Sequence, residues 1–395
     1  MRSLPSPAAY TEVMLLGACF YNPVRIVWGP GITDSISNII TDSNLGVRGI
    51  LVLTGRKSLE KSGKLGVLLN QFKKTEIFLY NDIPSNPEIS ELYNIKAETD
   101  KLNYDSIIAI GGGSVLDMGK CLAAFKGMHI DKYNELELSI INKDYQNYDI
   151  DIPVVAIPTT AGTGSEVTSW ATIWDKKKCK KYSVEDERLY PGLAIIDPML
   201  TMSLPLGLTA STALDALSHA LEAYWSKRSN EIVRIYAQKS IELIIKNLNN
   251  LLDDLNNLDL RTKIAQGSLY AGLAFSNTKT TACHCISYPL TAKYNIPHGI
   301  AVSMTLAQFL NINREFIMDK RKLLCALGIE NIKEAEGVIN NIFIKSQIPF
   351  KLSDYGVKKE DIGNIIENSF IPDRMDNNPV KITKELLKRV LEDIY

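Results

Sequence analysis

The 395 residues contain four histidines, and three of them fall where, with one carboxylate, they could hold a metal ion. Asp215 and His219 lie four apart in LDALSHALEAYWS, so a helix puts both on one face, one turn apart. His284 and His298 bracket CISYPLTAKYNIP. One carboxylate and three imidazoles form a hard-to-borderline donor set that suits Fe2+ or Zn2+. An ion that keeps an exchangeable position acts as a Lewis acid on a carbonyl or alcohol oxygen. A pair four apart on a helix also serves as a plain hydrogen bond or ion pair. The flanks favour the metal. Ala213, Leu214, Ala216, Leu217, Ala220 and Leu221 predict a buried helix, and one ion would satisfy both polar groups. Cys283 and Cys285 flank His284 as soft donors, but their alternate spacing predicts packing instead.

Two other segments suit phosphate. GGGSVLDMGK (111–120) follows the apolar run SIIAI. Gly112 and Gly113 let backbone N–H groups approach an anion, and a helix opening at Ser114 presents its positive end. Asp117 and Lys120 fall in the first two turns of that helix. The segment matches neither G-x-G-x-x-G nor a Walker A loop, and a tight turn is its plain alternative. PTTAGTGSEVTSWA (158–171) carries Thr159, Thr160 and Thr163, whose hydroxyls can donate to phosphate or amide groups. Its plain alternative is a hydroxyl-rich loop capping a helix over 165–171.

The elements that must position these residues change character along the chain. VRIVWG (24–29), GILVLT (49–54), EIFLY (76–80), SIIAI (106–110), VVAIP (154–158) and LAIID (193–197) read as strands. Several are apolar on both faces, as in a buried parallel sheet. Helical stretches over 58–73, 87–101 and 114–126 alternate with them, which predicts an α/β domain. Residues 128–150 are polar and read as a surface excursion. From Thr209 the pattern is helical almost throughout, over 211–226, 229–253, 259–274, 299–311, 318–327, 331–346, 358–368 and 382–394. The Pro and Gly breaks of DPMLTMSLPLG predict a boundary between an α/β domain (1–200) and an all-helical domain (201–395).

Composition excludes some classes. Basic and acidic residues balance at 44 and 45, so no global field points to nucleic acid or a membrane surface. No apolar run is long enough to span a bilayer, and AAYTEVMLLGACF is too weak for a signal peptide, so residues 1–20 read as an irregular extension. Six cysteines without a disulfide framework predict a reducing, cytoplasmic setting.

Taken together, GGGSVLDMGK, PTTAGTGSEVT, IIDPML, LDALSHALEAYWS and the stretch from Phe275 to PHGIAVSM resemble the iron-containing, or group III metal-dependent, alcohol dehydrogenases, over about residues 20–395. That resemblance implies an N-terminal dinucleotide domain with a parallel sheet, a helical C-terminal domain and a cleft between them. It implies a metal held by Asp215, His219, His284 and His298. Gly112, Gly113 and Ser114 would take the pyrophosphate, Thr159, Thr160 and Ser165 would lie on the nicotinamide side, and Lys181 in KKYS would contact the cofactor. Phe275 would line the substrate pocket. A homodimer acting on a small aldehyde or alcohol is also implied, with no nucleic-acid partner.

Two departures from the family pattern are informative. Many members carry Asp at the end of the second strand, for the ribose hydroxyls of NAD(H). Here TGRKS places Gly55 and Arg56 there, and Arg56 or Lys57 could pair with a 2′-phosphate, which favours NADP(H). Many members also carry a further histidine four residues after the third ligand. Here HCISYPLT has Tyr288, which could stand in for it in proton transfer, a role open also to solvent or the cofactor ribose. Before His284, NTKTTAC puts Lys279, Thr280 and Thr281 beside the expected substrate pocket. This combination resembles the phosphonoacetaldehyde reductase branch, which converts phosphonoacetaldehyde to 2-hydroxyethylphosphonate. A short-chain alcohol, lactaldehyde or semialdehyde dehydrogenase of the same family is the alternative, and a dehydroquinate-synthase-like lyase is a further one.

Overall fold

The computed structural model describes residues 18–395 apart from 44, 46–47, 57–58, 60–62, 73–74 and 179. Most of the N-terminal extension, Lys57 and Cys179 thus lie outside the described residues. Each apolar run of the first half forms a strand. In chain order come β1 (Arg25–Trp28), α1 (Ile36–Asp42), β2 (Gly49–Gly55), α2 (Lys64–Leu69), β3 (Glu76–Ile83), α3 (Ile89–Thr99), β4 (Ser106–Gly111), α4 (Gly113–Phe125), α5 (Tyr133–Asn142) and β5 (Val154–Pro158). There follow β6 (Trp170–Asp175), β7 (Lys180–Glu185) and β8 (Leu193–Ile196).

Six of these strands form one parallel sheet in the order β1-β8-β5-β4-β2-β3. Strands β2, β4, β5 and β8 are buried almost end to end, so one apolar layer faces α3 and α4 and another faces α1 and α2. From β2 the chain leaves to β3 on one side, while β4 returns on the other. The carboxyl ends of β2 and β4 therefore flank a topological switch point, where open α/β sheets bind ligands.

Two sequence expectations are corrected here. The helix that the plain alternative for the threonine loop placed over 165–171 is a short 3-10 turn at Ser165–Val167, followed by an antiparallel hairpin of β6 and β7. From Trp170 the residues alternate, and Ala171, Ile173 and Val184 bury one face against α4 and α5. Residues 128–150 are not a bare surface excursion. They fold α5, whose Leu136 and Ile140 pack in the core beside Tyr145.

After Leu206 the described chain is helical. The helices are α6 (Leu206–Trp225), α7 (Glu231–Asp253), α8 (Leu258–Phe275), α9 (Ala282–Tyr294), α10 (His298–Ser303), α11 (Leu306–Asn313), α12 (Lys320–Leu327), α13 (Ala335–Lys345), α14 (Ile362–Ser369), α15 (Pro372–Met375) and α16 (Lys384–Asp393). Helix α6 packs between α7, α8 and α10 and is buried over nearly its whole length. Helix α9 is an addition to the sequence reading, which left residues 282–294 unassigned because Pro289 interrupts the pattern.

The loop after β5 is locked onto α8. Gly164 adopts φ +61°, and a Cβ there would meet the Cα of Gly272 at 2.6 Å. Gly164→Ala should therefore cost about 1–3 kcal/mol through strain and forced separation of loop and helix. A fall in the thermal unfolding midpoint checks this; an unchanged midpoint would mean that the contact relaxes freely.

Candidate functional site

One cavity of about 890 Å³ opens at the switch point and runs between the sheet's carboxyl edge, the hairpin and the helices. That volume is at the upper end for small-molecule sites. At its helical end, α6 presents Asp215, His219 and Glu222 at i, i+4 and i+7, hence on one face. Asp215, His284 and His298 each offer a donor atom within 4.8 Å of the others. His219 joins them from one turn along α6, with its Nε2 4.0 Å from Asp215 Oδ1. His284 Nε2 is 3.8 Å from the same oxygen. Both distances are too long for a hydrogen bond. They lie within the roughly 4.2 Å that two donors, each about 2.1 Å from one ion, can span. Among the described residues, Asp215 Oδ1 and His284 Nε2 are buried without any hydrogen-bond partner, so the donor set fits a divalent cation.

The neighbours fix two of the imidazole tautomers, those of His284 and His298. His284 Nδ1 donates to Glu222 Oε2, which leaves the Nε2 lone pair facing Asp215. The Ser287 hydroxyl donates to the His284 carbonyl at 2.7 Å, so at 3.4 Å it can only accept from His298 Nδ1, leaving the other ring nitrogen unprotonated. Burial pushes all three imidazoles well below their usual pKa, keeping them neutral. It pushes the Asp215 carboxyl up to about 7, against the attraction of Lys181. The Phe275 ring stacks on His219 with centroids 4.0 Å apart, and Trp170 meets Phe275 edge-on. Close approach of α10 depends on Gly299, where a Cβ would lie 2.0 Å from the Ser211 carbonyl oxygen on α6.

At the sheet end, Gly55 and Arg56 line the cavity together with Gly112, Gly113 and Ser114 at the start of α4. Thr159, Thr160 and Thr163 face it from the loop after β5. Asp117 and Ser165 also reach the wall, but they are tied to each other: the Ser165 hydroxyl donates to Asp117 at 2.6 Å, and Asp117 accepts from the Thr172 amide at 2.8 Å. The buried Lys120 ammonium donates to Ser165, Thr168 and the Trp170 carbonyl. These bonds clamp the hairpin and the threonine loop onto α4.

The expected substrate residues divide. Phe275, Lys279 and Thr280 line the cavity, whereas Thr281 does not. The Thr281 hydroxyl donates to Glu222 at 2.7 Å and accepts from Trp225, because it starts α9 from inside the helical core. Tyr288 also stands off the cavity wall. Its hydroxyl accepts from Arg374, its ring stacks on His298, and burial pushes it up to about 12. Lys181 lies over the Tyr288 ring at 4.4 Å, and burial followed by repulsion from Arg374 pushes it down to about 7. Lys279 is paired with Glu185 at 2.9 Å and Asp373 at 3.3 Å.

Two important side chains, Glu222 and Arg374, and the role of a third, Lys120, escaped the sequence reading. Glu222 accepts from the Thr281 hydroxyl, the Cys283 and His284 amides and His284 Nδ1, so one carboxylate caps α9 and orients its histidine. The signal was present in the i, i+4, i+7 spacing from Asp215. Lys120 had been noticed only as a helix residue. Arg374 reaches the cavity from α15, which no apolar periodicity announces.

Comparisons with known proteins agree with this architecture. Residues 23–198 match the family described as iron-containing alcohol dehydrogenase, and residues 209–395 match the C-terminal part of the Fe-containing alcohol dehydrogenase family. Alcohol dehydrogenase 4 of Saccharomyces cerevisiae is 29% identical over 383 residues, covering 95% of this chain and 98% of its own. The NADPH-dependent butanol dehydrogenase of Clostridium saccharobutylicum is 27% identical over 389 residues, covering 95% and 97%. Among solved structures, sulfoacetaldehyde reductase from Bifidobacterium kashiwanohense in complex with NAD+ superposes with a TM-score of 0.85 at 30% identity, covering 96% of this chain and 99% of that one.

Glu222→Gln keeps the volume but removes the charge that fixes the His284 tautomer. Divalent-ion affinity is expected to fall by about 10–100-fold, read by chelator competition. Unchanged affinity would remove Glu222 from any role in holding the donors.

Proposed function

Because the chain belongs to the iron-containing alcohol dehydrogenase family, we propose that it interconverts a small aldehyde and its primary alcohol, using a nicotinamide dinucleotide and an iron ion held by Asp215, His219, His284 and His298. Zinc suits the same donors. One observation carries the reading: Asp215 Oδ1 and His284 Nε2 are buried, mutually close and without hydrogen bonds, at one end of a cavity large enough for a dinucleotide. When bound, the ion supplies a Lewis acid for the carbonyl oxygen, and the nicotinamide supplies or accepts hydride.

The chain's own residues do the rest. The amides of Gly112, Gly113 and Ser114 at the start of α4 would take the pyrophosphate, with Thr159, Thr160 and Thr163 adding hydroxyl donors. Asp117, Lys120 and Ser165 hold that threonine loop and the hairpin in place. Phe275, stacked on His219, keeps water from the reacting end. Burial holds the imidazoles neutral and so available as ligands. On substrate, the reading favours phosphonoacetaldehyde, which suits the cations that Lys181, Lys279 and Arg374 bring to the helical end.

The cofactor preference rests on Gly55 and Arg56. No carboxylate ends β2, but exposed Arg56 already pairs with Asp82 at 2.6 Å, so a 2′-phosphate must draw the guanidinium away. Under an NADP(H) preference, Arg56→Ala should raise KM for NADPH about fivefold and leave KM for NADH nearly unchanged. Equal effects on both would remove the preference.

The main test follows NADH and NADPH oxidation by the iron- and zinc-loaded protein with an aldehyde panel. His284→Ala is expected to lose bound metal and turnover while keeping its circular dichroism. Full turnover by a metal-free His284→Ala protein would refute the proposal.

A further inference from the structure

Three cations at the cavity wall are paired with carboxylates. Lys279 is neutralised by Glu185 and Asp373, Lys176 by Glu88 at 3.2 Å, and Arg56 by Asp82. Arg374 has no carboxylate partner among the described residues. Its Nη1 donates to the Tyr288 hydroxyl and to Thr280 Oγ1 at 3.3 Å, and its Nη2 donates to Ser183 Oγ at 3.2 Å. All three acceptors are neutral. The carboxylates that could have served it are engaged elsewhere, Glu185 by Lys279 and Asp373 by Lys279 and Arg228.

A guanidinium has five N–H donors, and these bonds use three. Nε–H and the second Nη2–H remain without an acceptor among the described residues. An unengaged Nε–H and Nη2–H give the guanidinium donors to offer to the oxygens of a tetrahedral or planar anion. Beside Arg374, Lys181 lies over the Tyr288 ring at 4.4 Å, with Asp117 and Asp215 as its attracting carboxylates. A guanidinium in a partly dewatered wall whose hydrogen bonds all go to neutral oxygens is costly unless an anion joins it.

We propose that Arg374, held in plane by Thr280, Tyr288 and Ser183, anchors an anionic tail on the substrate, so that the preferred aldehydes end in a phosphonate, sulfonate or carboxylate. This rests on the oxidoreductase reading above. It moves anion recognition from Lys279, which is already neutralised, to a residue at the far end of the chain. The geometry suits a short spacer. The Tyr288 ring stacks on His298 with centroids 6.1 Å apart while its hydroxyl meets Arg374, so one tyrosine side chain separates the candidate ligand set from the anion anchor.

The test compares phosphonoacetaldehyde, sulfoacetaldehyde and succinic semialdehyde with uncharged butyraldehyde, in the metal-loaded full-length protein and in Arg374→Gln and Arg374→Lys. The native protein should favour at least one charged aldehyde in kcat/KM. In Arg374→Gln the ratio of charged to uncharged kcat/KM should fall by about 100-fold, mostly through KM, and Arg374→Lys should recover part of it. The ranking of the three charged aldehydes identifies the tail. No charge preference in the native protein, or an unchanged ratio in Arg374→Gln, overturns the inference. Absence of turnover with every aldehyde would instead defeat the oxidoreductase reading. The anchor is then judged by binding of 2-hydroxyethylphosphonate and 2-hydroxyethanesulfonate: a thermal shift in the native protein that Arg374→Gln abolishes supports it, and no native shift overturns it. Should Arg374→Gln fail to fold, competitive inhibition of native butyraldehyde reduction by methylphosphonate supports the anchor, and lack of inhibition overturns it.

Discussion

A buried carboxylate oxygen with no hydrogen bond, facing an imidazole nitrogen equally without one, is the constraint around which the helical half is arranged. An unsatisfied buried polar group costs roughly 1–3 kcal/mol, and a charged one more. Among the described residues nothing bonds to these two atoms of Asp215 and His284, although Glu222 and Ser287 beside them are engaged in holding the histidines. Glu222 spends its oxygens on the first amides of α9 and on His284, and Ser287 links His284 to His298. Gly299 lets α10 approach α6 closely enough for His298 to join. Folding has thus been directed toward presenting lone pairs, and the proposed cation is the group that would satisfy them.

The other end of the cavity is built on a different principle. There the ligands on offer are backbone amides and hydroxyls at the carboxyl edge of a parallel sheet, which needs few special side chains. The demanding part is rigidity. Lys120 is buried in the core of the α/β half and bonded to three oxygens of the loop and hairpin, with its pKa pushed down to about 8 by burial, against the attraction of Asp117 and Glu166. Through these bonds a helix that begins at the glycine run also sets the position of the hairpin that roofs the cavity.

How far the sequence disclosed all this depended on the range of the interactions. The parallel strands were legible because several are apolar on both faces, and Asp215 and His219 because they lie on one turn. Gly112, Gly113, Ser114 and the threonines after β5 were legible as contiguous motifs. The β6–β7 hairpin was missed because its first strand follows a polar turn that reads as a helix start and its second is rich in lysine. Helix α9 was missed because Pro289 interrupts it. Thr281 was placed in the pocket from its neighbours Lys279 and Thr280, but the chain turns at Lys279, which has φ +61°, and sends Thr281 into the core. Helical phase cannot be counted through such a turn.

The same distinction of range separates the two chemical tasks of the cavity. The end proposed for the dinucleotide is made of local motifs, each complete within a dozen residues. The end proposed for substrate is assembled from the hairpin, the start of α9 and the short α15, and Ser183 and Arg374 meet across 191 residues of sequence. None of these contributors has a spacing that announces its partners; only the fold puts them together. Their side chains can vary without disturbing the glycine run or the helix face that carries Asp215 and His219. A family that keeps its cofactor and ion chemistry constant while changing its aldehyde would be expected to make its changes at such long-range junctions, and the uncompensated charge of Arg374 lies at one of them.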